Sequence, residues 1–317
     1  MLQFTPNRKG HSPKEIIVNI QFTGGGFVDF QHDLAEISRE LMRNAKVTIS
    51  SEWDDCYSCI KYLELHHRWF DSSIPYGVVC SQELLKKLSS FSKADQQAVR
   101  DIIHRFKNCI AITPYMSKGI KNTEIKKSDF LLKNWNIYHL HLEKAIRGKP
   151  FTNPNLLFFQ RKGQMIHLID IRKHPKGSEW FIRELLEIIY DNWPWLLHYL
   201  PGYTPTESIE DCDVHDALKH MVVPIPFRNG MLMPTTSGVA SSGDSNLAVK
   251  QAYSILNRLQ RCEIELEKNE ENIRKGIFES MAVQVTEPLD YTLIVEAGFF
   301  VAYETHSNAK IRLFETE

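Results

Sequence analysis

NLLFFQRKGQMIHLIDIRKH, from Asn155 to His174, reads as two strands joined by a tight turn. LLFFQ and MIHLIDIR are rich in aromatic and β-branched residues, and Arg161-Lys162-Gly163-Gln164 between them puts glycine at a hairpin tip. On the second strand Met165, His167, Ile169 and Ile171 fall on one face, and Ile166, Leu168, Asp170 and Arg172 on the other. Both faces are largely apolar, so the strand is expected inside a sheet that is covered on both sides. Just upstream, WNIYHLHL (Trp135 to Leu142) alternates as a third strand, with Ile137, His139 and His141 on one face and Tyr138, Leu140 and Leu142 on the other. A helix over Glu179 to Tyr190, capped by Ser178, turns Phe181, Leu185, Ile188 and Ile189 inward and is expected to pack on this sheet.

Charge is concentrated around the same strands. Ser117 to Lys176 holds 13 Lys or Arg against four acids, a net of +9 in a chain whose formal charge is −1. Gly177 to His220 carries nine acids against Arg183 and Lys219, which can screen the basic block within one molecule. Four of the 13 histidines, His139, His141, His167 and His174, lie in the basic block.

The chain of 317 residues, 43% hydrophobic, is long enough for a sizeable core and for two or three domains. No run is apolar for the roughly 18 to 20 residues of a membrane span, and the start lacks a secretory pattern. No membrane association and a cytoplasmic location are therefore expected, with Cys56, Cys59, Cys80, Cys109, Cys212 and Cys262 as free thiols.

Before the basic block, EIIVNIQF (Glu15 to Phe22) reads as a strand leading to Gly24, Gly25 and Gly26, without the Lys-Ser or Lys-Thr of a phosphate loop. Helices are expected over Asp33 to Ala45, Asp54 to Trp69, Gln82 to Leu88 and Ala94 to Phe106, with short strands at KVTIS (Lys46 to Ser50) and CIAITP (Cys109 to Pro114). Cys56 and Cys59 form a lone CxxC near His66 and His67, which fits helix-core thiols better than a four-ligand zinc site. After the acidic stretch, MVVPIPF and MLMP flank Arg228-Asn229-Gly230 as a second hairpin. Asn246 to Lys275 reads as a long helix whose Ile255, Leu259, Cys262, Leu266, Asn269 and Ile273 repeat at alternating spacings of four and three. That seam over residues 246–275 suits a homodimer or packing on the chain's own body. Three strands are expected in the tail, from AVQVTEP, YTLIVEAGFFVAYET and AKIRLFE. The fold class that follows is α+β: an α-rich N-terminal region (1–116), a basic central antiparallel sheet with a packed helix (117–206), and a C-terminal hairpin, long helix and antiparallel strands (207–317).

WNIYHLHL followed by LLFFQRKGQMIHLIDIRKHPKG resembles the strand core of RelE- and HigB-type ribonuclease toxins, over about 50 of the 317 residues. In that family a short strand precedes an R-x-x-F strand and an I-x-L-L-H-x-F-x-K-K strand. His167 matches the histidine of the last strand, and Lys173, His174 and Lys176 match its basic end. Leu156-Leu157-Phe158 stands where the family often has an arginine, so Arg161 or Arg172 would have to take that role. The resemblance implies a small sheet that cleaves RNA and a protein antitoxin or regulator that restrains it.

The residues themselves support metal-independent RNA cleavage independently of that likeness. The reaction needs a base for the 2′-OH proton, an acid for the leaving 5′-oxygen and cations for the charge on phosphorus. His139, His141 and His174 with Lys173 fit the catalytic roles; Arg161, Lys162, Arg172, Lys176, Trp135 and Tyr138 fit substrate binding through phosphate contacts and stacking. Two other readings use the same residues. One is a nucleic-acid- or protein-binding component of a defence or regulatory system, without catalysis. The other is a zinc-dependent hydrolase in which His139 and His141 project from one strand and His167 from a neighbour is the third ligand.

Overall fold

The computed structural model describes residues 28–121, 129–146, 148–176, 180–202, 210–218, 224–236 and 238–316. The expected strand at Glu15 to Phe22 with its glycines, Lys126 and Lys127, the Ser178 cap, and Lys219 with His220 lie outside them.

In chain order the elements are α1 (Phe30–Asn44), α2 (Asp55–Arg68), β1 (Gly77–Cys80), α3 (Gln82–Lys87), α4 (Lys93–Lys107), α5 (Phe130–Trp135), β2 (Ile137–His141), β3 (Asn155–Lys162), β4 (Met165–Lys173), α6 (Arg183–Asn192) and β5 (His198–Pro201). They continue with α7 (Asp211–Leu218), β6 (Ile225–Phe227), β7 (Gly230–Met233), α8 (Asn246–Lys268), α9 (Glu270–Met281), β8 (Tyr291–Glu296), β9 (Phe299–Glu304) and β10 (Lys310–Glu315). The fold is α+β. None of the described helices is long and apolar enough to cross a membrane.

Contacts group these elements into two compact units, one comprising the chain up to Leu63 and from Lys250 on, the other Glu64–Val249. These do not coincide with the consecutive boundaries 1–116, 117–206 and 207–317 read from composition. Helices α2 and α8 each run through a boundary, and a composition shift cannot register a terminus that folds back to join the start of the chain.

In the unit formed by the two ends of the chain, α1 starts where the Asp29 carboxylate accepts the His32 amide at 2.9 Å. Its stripe Phe30, Leu34, Ile37 and Met42 is buried. Strands β8, β9 and β10 form an antiparallel sheet in the order β10-β9-β8, so β8 is an edge. Asp33 of α1 is buried and accepts the Leu293 amide of that edge strand at 2.7 Å. The heptad-like seam packs within this unit: Leu259 and Leu266 are buried, and Glu263 accepts the Phe30 amide at 2.6 Å. Asn269 does not set a register. It is exposed and its side-chain amide donates to the Glu265 carbonyl at 2.8 Å, where α8 ends and α9 begins.

The other unit is built on a four-stranded sheet in the order β1-β4-β3-β2. Strands β2, β3 and β4 are antiparallel, as their alternation and turn chemistry predict, with Gly163 at φ +56° in the turn. The sheet is mixed because β1 adds parallel to β4, pairing Gly77 with Met165 through Cys80 with Leu168. One face packs Tyr138, Leu140, Leu157, Phe159, Ile166 and Leu168 against Val99, Ile102 and Phe106 of α4. The other packs Ile137, Leu156, Phe158 and Ile169 against Leu185, Leu186 and Ile189 of α6 and against the β5-β7-β6 sheet. Covered on both sides, Leu156 to Phe159 are fully buried, which is why that strand reads as an unbroken apolar run.

A β-bulge changes the face assignment read from strict alternation. Phe158 pairs with Asp170 and Phe159 with Leu168, so Ile169 is the extra residue. Ile171 therefore joins the α4 face with Leu168, whereas Ile169 stays on the α6 face. SDFLLKNW holds the short helix α5, capped by Asp129, whose carboxylate accepts the Leu132 amide at 3.1 Å, and stopped by Asn136 at φ 55°. KVTIS and CIAITP are not strands; each begins on a residue in the left-handed region, Lys46 at φ 58° and Cys109 at φ 55°.

Candidate functional site

Strand β2 places His139 and His141 on the α6 face of the sheet, opposite Phe158 and Leu156 of β3. Strand β4 ends at Lys173, and His174 follows it, its amide donating to the Pro154 carbonyl at 2.6 Å. This brings His141 and His174 together with ring centroids 6.1 Å apart. Trp180 bridges the group, 5.1 Å from the His139 ring and 5.2 Å from the His174 ring. Phe151, from the loop between β2 and β3, lies flat on His141 at 3.6 Å and 9°.

Each imidazole has a different setting. His139 Nδ1 lies 3.2 Å from Asp129 Oδ2. Burial pushes the Asp129 carboxyl up, but hydrogen bonding and charge from His139, the Leu132 amide and the Arg68 charge outweigh it and hold the group below the usual carboxylate range. His141 is 6% exposed, and its Nδ1 has no hydrogen-bond partner among the described residues. Burial, reinforced by the neighbouring His139 and His174, lowers its pKa to about 4, with Glu143 opposing. The His174 ring is exposed, and its Nδ1 lies 2.8 Å from the Pro175 carbonyl oxygen.

Arg172, Lys173 and Lys176 stand at this same end of the sheet. Arg172 sits in one cross-strand row with Leu156 and His141, and Lys173 pairs with Asn155. The Arg172 guanidinium also holds the fully buried Asp170 carboxylate at 2.5 Å, and Lys87 of α3 pairs with the same carboxylate. Lys173 and Lys176 are exposed.

The remaining expected site residues lie elsewhere. Arg161 and Lys162 are at the opposite end of β3, beside the turn, roughly 20 Å along the strand from the row of Lys173 at the usual rise per residue. Arg161 donates to the Trp69 carbonyl at 3.2 Å and lies over the Phe70 and Tyr138 rings. Trp135 is 1% and Tyr138 5% exposed, and the Tyr138 hydroxyl donates to the His67 carbonyl at 2.8 Å. Both aromatics are core residues with no face open for stacking a base.

The zinc alternative is corrected by the register. His167 is opposite Gln160, with β3 lying between its strand and β2. His167 thus stands two strands away from His139 and His141. His167 instead packs its ring 5.0 Å from Trp193, buried and with its pKa lowered by that burial. Among the described residues no group of three or more His, Cys, Asp or Glu is arranged to hold a metal ion. Cys59 is a buried thiol 3.9 Å from the Ser38 hydroxyl, pushed up to about 12 chiefly by burial.

Three residues of the cluster were not singled out from the sequence. Asp129 carries one available signal, a helix-capping position eight residues before the start of β2. Phe151 and Trp180 carry none, because their contacts depend on how a loop and a chain reversal return to the sheet. No protein-family model, curated protein or solved structure matches this chain.

Proposed function

We propose that the Glu64–Val249 unit binds RNA at the end of its sheet marked by Arg172, Lys173 and Lys176, and cleaves it without a metal. The observation that carries this reading is the gathering of three histidines at that same end, His139 and His174 against Trp180 and His141 beside His174. A neutral imidazole, His141 once uncovered, takes the 2′-OH proton. The 2′-oxygen attacks phosphorus and the 5′-oxygen leaves with a proton from His174, giving a 2′,3′-cyclic phosphate and a 5′-hydroxyl. Asp129 orients His139 beside the reacting groups, and Arg172 and Lys173 offset the charge that builds on the phosphate oxygens.

Incubating the pure chain with end-labelled RNA in chelator tests this. Cyclic or 3′-phosphate ends are expected, with a loss of roughly 100-fold or more for His174→Ala or His141→Ala. Activity lost in chelator, or unchanged in both variants, would remove the reading. One observation favours the non-catalytic alternative: the His141 ring is covered by Phe151 and only 6% exposed. RNA retained by the chain but recovered intact is the outcome that reading expects.

A further inference from the structure

We propose that Phe151 occupies a nucleobase-stacking subsite over His141, so that a base of bound single-stranded RNA displaces the phenyl ring and stacks on the imidazole face in its place. The proposal rests on the RNA-binding reading above and says which part of the RNA lies against His141.

The phenyl and imidazole rings are almost parallel, 9° apart, with centroids only 3.6 Å apart. A direct face-to-face arrangement sets two negative ring faces against each other, and aromatic pairs prefer an offset or edge contact at larger centroid separations. Elsewhere in this unit the packed aromatics follow that preference, as in Phe70 against Phe106 at 5.7 Å and 68° or Tyr76 against Phe106 at 5.8 Å and 76°. A nucleobase is a polarised heteroaromatic plane and gains more from the same position than a phenyl does.

The neck of the loop is held independently of the phenyl ring. The Glu143 carboxylate accepts from the Thr152 amide and from its hydroxyl at 2.9 Å, and the Asn153 side chain donates to Asp95 at 2.5 Å. Phe151 can therefore leave His141 by side-chain rotation while the backbone on its C-terminal side stays anchored. The neighbouring row of His141, Leu156 and Arg172 and the exposed Lys173 beside it give the nucleotide phosphate its cations.

The test uses the full chain with its histidine ring protons followed by NMR, adenosine 5′-monophosphate as probe and ribose 5-phosphate as base-free control. In the natural sequence, adenosine 5′-monophosphate is expected to shift the His141 signal and ribose 5-phosphate to leave it in place. Phe151→Ala is expected to bind adenosine 5′-monophosphate about tenfold more tightly and to raise the His141 titration from about 4 toward an ordinary histidine value. Equal effects of the two ligands on the natural chain, or a Phe151→Ala protein that binds the nucleotide no better, overturn the subsite. The natural-chain comparison decides the matter if Phe151→Ala does not fold. Cleavage of RNA without a base-dependent His141 shift defeats the subsite alone; a base-dependent shift without cleavage defeats the catalytic reading alone.

Discussion

A histidine held neutral inside a protein makes stability depend on pH in a fixed direction. The folded-state pKa of His141, about 4, lies below the ordinary value of 6.5, so between these values the unfolded chain binds more protons. Stability is unaffected above pH 6.5, falls as the pH drops through that window, and levels off below about 4. The full contribution is on the order of 3 kcal/mol. Burial sets this value, with His139 and His174 adding to it and Glu143 opposing, so replacing His141 by Phe should remove the contribution. Urea unfolding at pH 7 and pH 4, followed by tryptophan fluorescence, should show His141→Phe losing less stability than the natural chain by about that amount. Equal losses would mean that His141 is hydrated in solution. Alternation along β2 made the facing of His139 and His141 legible from the sequence, and Lys173-His174 marked the basic strand end. What paired them with Asp129, Trp180 and Phe151 was not legible, since each contact joins the strand to a different segment whose return path has no periodic signature. Trp135 and Tyr138 were misread for a related reason: an aromatic beside basic residues looks the same in sequence whether it stacks a base or fills a core.

Elements were readable where periodicity ran for a full strand or several helical turns, as in β3, β4, α1 and α4. They were lost where one residue altered the geometry. The bulge at Ile169 moved Ile171 to the other face, Asn269 divided the C-terminal helix, and GVVC of β1 was too short to register beside its helices. The tail illustrates the same limit. YTLIVEAGFFVAYET is a hairpin of two strands around Ala297-Gly298, both at positive φ, while AVQVTEP forms none. At the edge of that sheet Asp33 performs an element-level task, receiving an amide of β8 that would otherwise be open to another chain. Its burial raises the carboxyl to about 6 against the Leu293 amide, so the folded chain binds the extra proton between pH 3.8 and 6. This stability is complete below the lower value and is lost as the pH rises through the upper one, the opposite sense to His141. Asp33→Asn keeps an oxygen to accept the amide and removes the buried charge, at the cost of a favourable charge in the first turn of α1. The variant should be stabilised by about 1–2 kcal/mol at pH 7 and by nothing measurable at pH 4. Destabilisation at pH 7 would show that the ionised carboxylate is the better acceptor there.

For the whole molecule, the charge count and the charge arrangement give different expectations for RNA binding. The net +9 of Ser117 to Lys176 suggests a broad basic surface. Folding distributes those cations otherwise. Lys133 is 5% exposed and pairs with Glu64, Lys144 pairs with Asp101 at 3.1 Å, and Arg161 is at the far end of the sheet over Phe70. Among the described residues, Arg172, Lys173 and Lys176 stand with the histidines, and Arg172 shares its charge with buried Asp170. Each phosphate neutralised on a single strand contributes about −0.7 to the slope of log K against log salt concentration, so three contacts predict a slope near −2 and nine would predict about −6. Measuring the affinity for a short single-stranded RNA between roughly 50 and 200 mM salt should therefore give the shallower slope. Lys173→Ala should weaken binding on every sequence alike and flatten the slope by about 0.7. A slope near −6 would place the RNA along the whole basic block and detach binding from the histidine cluster. A slope near zero would leave the three cations with no phosphate to meet, and the proposed function would fall with them.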